Sequence, residues 1–179
     1  ISGKRSGQYL VGSGGHYWKD YAERKTTKAH DDQWEAIINN HVESTSGSVY
    51  YVKDLEASYN DRSAPMWRTQ IFYTNPGKRG DMTSLLRKSA KVRAETNSDE
   101  SRGVFYNVTG GEQNGIVYIA TRMDDLGDMV GPSKGLDERW IKVHGQKDWD
   151  KVLPTWWTLF HKSETEIVKV IPGMNSPQE

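Results

Sequence analysis

Residues 102–121 read RGVFYNVTGGEQNGIVYIAT, and this stretch decides the fold. Two segments rich in β-branched and aromatic residues flank a centre rich in Gly, a pattern typical of two strands joined by a turn. A similar stretch lies near the N-terminus, where GQYLVGSGG at 7–15 precedes His16 and Trp18. The two stretches predict equivalent hairpins at 8–21 and 103–121.

The segment before the central hairpin predicts a strand and then a helix. Residues 66–74 alternate with period two, which places Trp67 and Tyr73 on one face and Arg68 and Gln70 on the other. After the breaker Asn75-Pro76-Gly77, an apolar stripe predicts an amphipathic helix. The stripe residues are Met82, Leu85, Leu86, Ser89 and Val92. The densest basic cluster of the chain, Arg87, Lys88, Lys91 and Arg93, is assigned to the solvent-facing side of this helix.

The segment after the central hairpin predicts helices and a closing strand. Leu136–His144 has the pattern of a short helix with Gly145 as its C-cap. Apolar residues then recur with helical spacing from Trp149 to Phe160, and Pro154 within that pattern predicts a kink or a restart. Thr165–Ile171 is the predicted last strand.

Aligning the two halves predicts an internal repeat. The second half reads βαββαβ from residue 66 to residue 171, whereas the first half reads only ββαβ and ends with a strand at 48–52. We therefore expect an incomplete repeat at 1–60 and a complete one at 61–179, together in one compact body. The βαββαβ order is that of a ferredoxin-like unit, an α+β fold with an antiparallel sheet.

Composition excludes several classes of function. Lys plus Arg and Asp plus Glu both number 24, so the charge balance gives no footprint for nucleic acid. No apolar run approaches the ~20 residues of a membrane-spanning helix. The chain has no Cys, which excludes thiolate chemistry and disulfides. It begins at Ile1, so we expect that a signal peptide, a tag or part of the protein was removed; the first of these implies a periplasmic or secreted protein.

Four runs together resemble the dimeric α+β barrel proteins: Met66–Arg68, Asn75–Lys78, Val108–Gly111 and Ser163–Val168. The likeness is to their uncharacterised, often exported bacterial members, related to antibiotic-biosynthesis monooxygenases. It implies two ferredoxin-like sheets packed face to face as a tandem barrel with an incomplete first repeat. It also implies a homodimer, or a pseudo-dimer within one chain, with ligands between a sheet and its helices.

The candidate ligand-binding residues are aromatic and polar side chains on the predicted strands. They are His16, Trp18, Trp67, Arg68, Gln70, Tyr73, Tyr106, Asn107 and Tyr118. Rings that carry OH and NH groups are typical of a pocket for a flat, mostly apolar molecule, and equally of a core or a dimer interface. We assign no catalytic residue, no metal and no cofactor.

Three functions stay open from the sequence. The first is binding of a small hydrophobic or aromatic molecule in a cleft between sheet and helices. The second is an enzyme of the cofactor-independent monooxygenase type, which the resemblance implies. The third is haem binding through His16 or another His, because imidazole is a haem ligand; the alternative for His16 is a strand-end side chain bonded to backbone.

Overall fold

The chain divides into two units in the computed structural model, residues 1–7 with 49–179 and residues 8–48. The structure describes residues 7–8, 28–29, 32–33, 35–36, 51–60, 62–108, 115–129 and 135–171. In the second unit the residues at 28–29, 32–33 and 35–36 are helical, and Lys28 forms an exposed ion pair with Asp32 at 2.7 Å. The predicted N-terminal hairpin, with His16 and Trp18, lies outside the described residues, so the tandem repeat stays a prediction.

The first unit contains a five-stranded antiparallel sheet. Its strands are β1 (Tyr51–Lys53), β2 (Met66–Thr74), β3 (Arg102–Asn107), β4 (Ile116–Met123) and β5 (Phe160–Lys169). Their order is β1-β3-β4-β2-β5, and every neighbouring pair is antiparallel. The helices are α1 (Arg79–Glu95), α2 (Leu136–His144) and α3 (Gln146–Trp157), with a 3₁₀ turn at Leu126–Met129. From β2 to β5 the chain therefore runs βαββαβ, which confirms the α+β, ferredoxin-like prediction.

The edge strand β1 adds a fifth member to this sheet. It pairs with β3, with Tyr51 opposite Asn107 and Lys53 opposite Phe105. The predicted division at residue 60 assigns strand β1 to the first repeat. The pairing of β1 with β3 instead places this strand in the sheet formed by the predicted second repeat. The division itself stays a prediction.

The turn from β2 into α1 follows directly from its sequence. The Lys78 N–H donates to the Asn75 carbonyl at 2.9 Å, with Pro76 and Gly77 at the turn centre. Gly77 has φ of 74°, the left-handed conformation that favours glycine at this position of a type II turn. The turn thus sends α1 back across the sheet.

One face of the sheet forms the core against the helices. Phe72, Val104 and Val117 alternate onto this face and pack with Met82 and Leu86 of α1. The full buried cluster is Ala57, Phe72, Met82, Leu86, Val104, Tyr106, Val117, Ile119 and Leu159. The predicted alternation of β2 is confirmed, because Phe72 lies in this cluster and its neighbours in the strand point to the opposite face.

Arg93 corrects the predicted solvent face of α1. Arg93 is 0% exposed, so its side chain lies on the inner side of α1. Positions 82, 86, 89 and 93 follow one helical stripe, and this spacing, rather than the positive charge, decides where Arg93 points. Burial is possible because Arg93 Nε donates to the Glu100 carboxylate and Nη1 donates to the Ser89 carbonyl at 3.1 Å.

The last strand begins five residues earlier than predicted. β5 starts at Phe160, which pairs with Thr74, and not at Thr165. The Phe160 ring packs edge-on against Phe72, with centroids 4.9 Å apart, so the ring that fitted a helical pattern belongs to the sheet core. The preceding helix does not restart at Pro154, which lies inside α3 near its end.

We predict that Phe72→Ala lowers the free energy of unfolding by about 3–5 kcal/mol, because it empties a core site where Trp156 and Phe160 both contact the ring. Urea unfolding followed by circular dichroism measures the change. The exposed Lys91→Ala is the control and should change stability by less than about 0.5 kcal/mol. Equal effects of the two substitutions would contradict the described core.

Candidate functional site

The segment that follows β1 is fixed against α1 by one buried carboxylate. Asp54 Oδ1 accepts hydrogen bonds from the N–H groups of Glu56 and Ala57, both at 3.0 Å. Its Oδ2 accepts from Arg87 Nε, also at 3.0 Å. A short acidic side chain that bonds the backbone two and three residues ahead is typical of a turn. Asp54 therefore both shapes the turn and connects it to α1.

Arg87 of α1 forms ion pairs with two carboxylates of this turn. Its Nη2 lies 3.0 Å from Asp54 Oδ2, and its Nη1 lies 2.9 Å from Glu56 Oε2. The hydrogen bond that Arg87 donates to Asp54 is the main cause that raises the pKa of Arg87 above its usual value. Both acids of the turn are thus held by the same guanidinium.

An open groove of about 410 Å³ lies between this turn and α1. Residues 52–56 form one wall, Arg79, Thr83 and Arg87 of α1 form the other, and Tyr106 of β3 also lines it. The groove thus lies at the end of β1, between the turn and α1, and the predicted ligand cleft between sheet and helices stays a prediction. The wall also carries apolar surface, since the Leu55 side chain is among the most exposed large hydrophobic groups described.

Among the residues that line the groove, Tyr106 has a buried hydroxyl group. The residue is 7% exposed, and its hydroxyl is buried without a hydrogen-bond partner among the described residues. Thr83 and Asp54 lie near this hydroxyl and both influence its pKa, but neither has the geometry of a hydrogen bond to it. Burial is the main cause that raises the pKa of Tyr106, so the phenol is a neutral hydrogen-bond donor at pH 7.

Arg79 lies over the Tyr106 ring. Its guanidinium carbon is 5.1 Å from the ring centroid, within the range of a cation–π interaction. No salt bridge joins Arg79 to a carboxylate in the part of the chain that the structure describes. The groove therefore presents a buried phenol donor beneath a guanidinium that retains donors for an anionic partner.

The sheet separates the other predicted site residues into two groups. Trp67, Tyr73, Asn107 and Tyr118 lie on the face opposite the helices, whereas Arg68 and Gln70 share the helix-facing side with Tyr106. Of the seven described candidates, the structure brings only Tyr106 to the groove. One cleft thus does not hold the predicted set, because period-two alternation sends neighbouring strand residues to opposite faces.

On the opposite face, aromatic side chains alternate with ionic ones. Tyr73 Oη donates to Glu164 at 3.1 Å, and Lys162 Nζ lies 4.4 Å from the Tyr73 ring centroid. The Tyr118 and Tyr51 rings meet edge-on, with centroids 4.4 Å apart. Burial is the main cause that raises the pKa of Tyr73, followed by its hydrogen bond to Glu164.

The sequence named Arg68 as a candidate ligand-binding residue, and it did not single out Arg79 or Arg87 of α1 as site residues. Arg68 is 5% exposed, and its Nη1 donates to the Met129 carbonyl at 3.4 Å. Burial lowers its pKa. Arg79, Arg87 and Asp54 of the groove belong to no sequence motif, so the sequence offered no signal for them.

The described ranges contain neither a cluster of metal-binding side chains nor a helix that could span a membrane. No group of three or more His, Cys, Asp or Glu side chains there is arranged to hold a metal ion. The helices described at 79–95, 136–144 and 146–157 are too short or too polar to cross a bilayer.

Comparisons with known proteins give a structural likeness at low sequence identity. No protein-family model matches the chain, and no curated protein matches it. Among solved structures, the chain is similar to the crystal structure of a NIPSNAP family protein from Agrobacterium tumefaciens strain C58. The two are 18% identical, the match covers 64% of this chain and 93% of that one, and the TM-score is 0.42.

We predict that Asp54→Asn lowers the free energy of unfolding by about 1–3 kcal/mol, because an amide N–H₂ then faces the donors of Arg87 or of the turn. Chemical denaturation measures it. Asp81→Asn is the matched control, since its ion pair with Lys78 at 2.9 Å is exposed and should contribute under about 1 kcal/mol. An unchanged Asp54→Asn variant would show that this carboxylate does not hold the turn.

Proposed function

We propose that the protein binds a small molecule with a flat, mainly apolar body and an anionic group, and that the groove between residues 52–56 and α1 is its site. The observation that carries this proposal is the buried Tyr106 hydroxyl, which has no hydrogen-bond partner among the described residues and belongs to a ring that Arg79 covers. A buried polar group without a partner costs about 1–3 kcal/mol, and in native proteins such a group is usually met by an ordered water, an ion or a ligand.

The chemistry of the groove fits such a molecule. The Arg79 guanidinium would bind the anionic group of the ligand. An acceptor atom of the ligand would receive the Tyr106 hydrogen bond once the side chains that cover this hydroxyl move aside. Val52 and Leu55, 46% and 78% exposed, offer apolar contact to the flat body. The groove volume of about 410 Å³ lies within the usual range of small-molecule sites.

The other functions predicted from the sequence stay predictions. Haem binding through His16 concerns a residue outside the described part of the chain. Cofactor-independent oxygenation needs a placed substrate, and the described side chains offer no arrangement that favours it over binding. Pairing of two chains, or of two repeats in one chain, also stays a prediction.

We predict that 2-naphthoate, a flat aromatic carboxylate, binds the groove in the millimolar range or tighter. Amide signals of residues 52–56 and of α1 around Thr83 should shift in ¹H–¹⁵N spectra on titration. Tyr106→Phe should weaken binding roughly two- to twelvefold, the equivalent of one lost hydrogen bond of about 0.5–1.5 kcal/mol. Arg79→Ala should weaken it further, because the charged partner of the carboxylate is lost.

Tyr73→Phe is the matched control for this titration. It also removes one tyrosine hydroxyl, but from the opposite face of the sheet, where the hydroxyl is bonded to Glu164. It should leave the naphthoate affinity unchanged. The proposal is wrong if naphthoate and salicylate both fail to bind at millimolar concentration, or if Tyr106→Phe and Tyr73→Phe have equal effects.

A further inference from the structure

Two arginines of α1 line the groove on the same face of the helix. Arg79, Thr83 and Arg87 follow one another at intervals of four residues, and all three belong to the groove lining. Eight residues separate the two arginines, so their Cα atoms lie ~12 Å apart along the helix axis. The helical wall of the groove therefore presents two positive charges at separate places.

The two arginines differ in how their charge is balanced. In the described part of the chain, no salt bridge joins Arg79 to a carboxylate. Arg87 is held from one side by Asp54, because its Nε and Nη2 each lie 3.0 Å from Asp54 Oδ2. The Asp54 side chain is only 4% exposed, so water competes little for this contact. Asp54 thus fixes the direction in which the Arg87 guanidinium points.

The remaining nitrogen of Arg87 binds an exposed carboxylate. Its Nη1 lies 2.9 Å from Glu56 Oε2, and the Glu56 side chain is 72% exposed. Among the residues that the structure describes, Arg87 is the only ion-pair partner of Glu56. An exposed pair of this kind contributes little to stability, because water solvates both charges when they separate. Glu56 can therefore leave Arg87 at small cost, whereas the buried Asp54 cannot.

The contact with Glu56 shows what the Arg87 guanidinium accepts. With Asp54 already bound, Arg87 takes a second carboxylate at Nη1. Glu56 and Arg87 both line the groove, so this nitrogen lies where a ligand in the groove can reach it. The Glu56 carboxylate therefore occupies a place that the carboxylate of a ligand would fit equally well.

We infer that Arg87 is a second anion subsite of the groove, that the Glu56 carboxylate covers it in the free protein, and that the ligand has an anionic group at each end of its flat body. One anionic group binds Arg79, and the other displaces Glu56 from Arg87. The body of the ligand lies along Thr83 between them. This inference rests on the proposed function, because it specifies the charge of the same ligand.

Binding of two related naphthalenes tests the inference. Naphthalene-2,6-dicarboxylate has an anionic group at each end, whereas 2-naphthoate has a single one on the same ring system. The dicarboxylate should bind the natural protein at least about fourfold tighter, about twofold from its two equivalent ends and the rest from a charged hydrogen bond to Arg87 that exceeds the exposed pair it replaces. Isothermal titration calorimetry at low ionic strength measures both dissociation constants.

Glu56→Gln tests the role of the covering carboxylate. It removes the competitor for Arg87, so the affinity for the dicarboxylate should rise about two- to fivefold more than the affinity for 2-naphthoate. Glu95→Gln is the matched control, since it removes the same charge from an exposed position at the end of α1, outside the groove lining. It should leave the ratio of the two dissociation constants unchanged.

Side-chain NMR gives a second measurement on the natural protein. The carboxyl ¹³C signal of Glu56, identified by its absence from Glu56→Gln, should shift along the binding curve of the dicarboxylate and less with 2-naphthoate. If neither naphthalene binds, the proposed function and this inference both fail. If 2-naphthoate binds but Glu56→Gln and Glu95→Gln give the same ratio, or the dicarboxylate leaves the Glu56 signal unchanged, the inference alone is overturned.

Discussion

The antiparallel register of β2 between β4 and β5 is the constraint on which the rest of the structure depends. It pairs Phe72 with Val117 and Arg68 with Thr121, and so decides which side chains face the helices. A shift of one residue would exchange the two faces, taking Phe72 out of the core and Tyr73 into it. Burial of the apolar core against α1 therefore specifies the register, and the register in turn places every polar group of the interior.

The helix-facing side of the sheet has an apolar centre with polar groups beside it. Phe72, Val104 and Val117 pack with α1, whereas along β3 the chain carries Arg102 before this centre and Tyr106 at the groove. The apolar centre supplies the burial that favours folding. The buried polar groups lower the stability of the fold, because the Tyr106 hydroxyl and one N–H group each of Arg93 and Arg102 have no hydrogen-bond partner among the described residues. Sites where local stability is given up are often functional sites.

Periodicity predicted much of the first unit. The strand Met66–Thr74 and the helix Leu136–His144 follow from alternation and from helical spacing with a glycine cap. The predictions from periodicity were wrong where tertiary contacts override the local sequence pattern. Phe160 fitted a helical stripe but pairs with Thr74, and charge suggested an exposed Arg93 although its spacing was that of the buried stripe. The groove was not predictable residue by residue, because Asp54, Arg79 and Tyr106 are distant in sequence and meet only through strand order.

The register itself can be tested directly, because the chain has no Cys. Thr69 and Ala120 lie opposite each other on β2 and β4, a separation that a disulfide spans. The double variant Thr69→Cys with Ala120→Cys should oxidise to an intramolecular disulfide under conditions where Thr69→Cys with Thr121→Cys does not, as judged by mass spectrometry of the folded protein. Preferential oxidation of the second pair would mean that the strands are shifted by one residue, and would contradict the described core and the placement of Tyr106 at the groove.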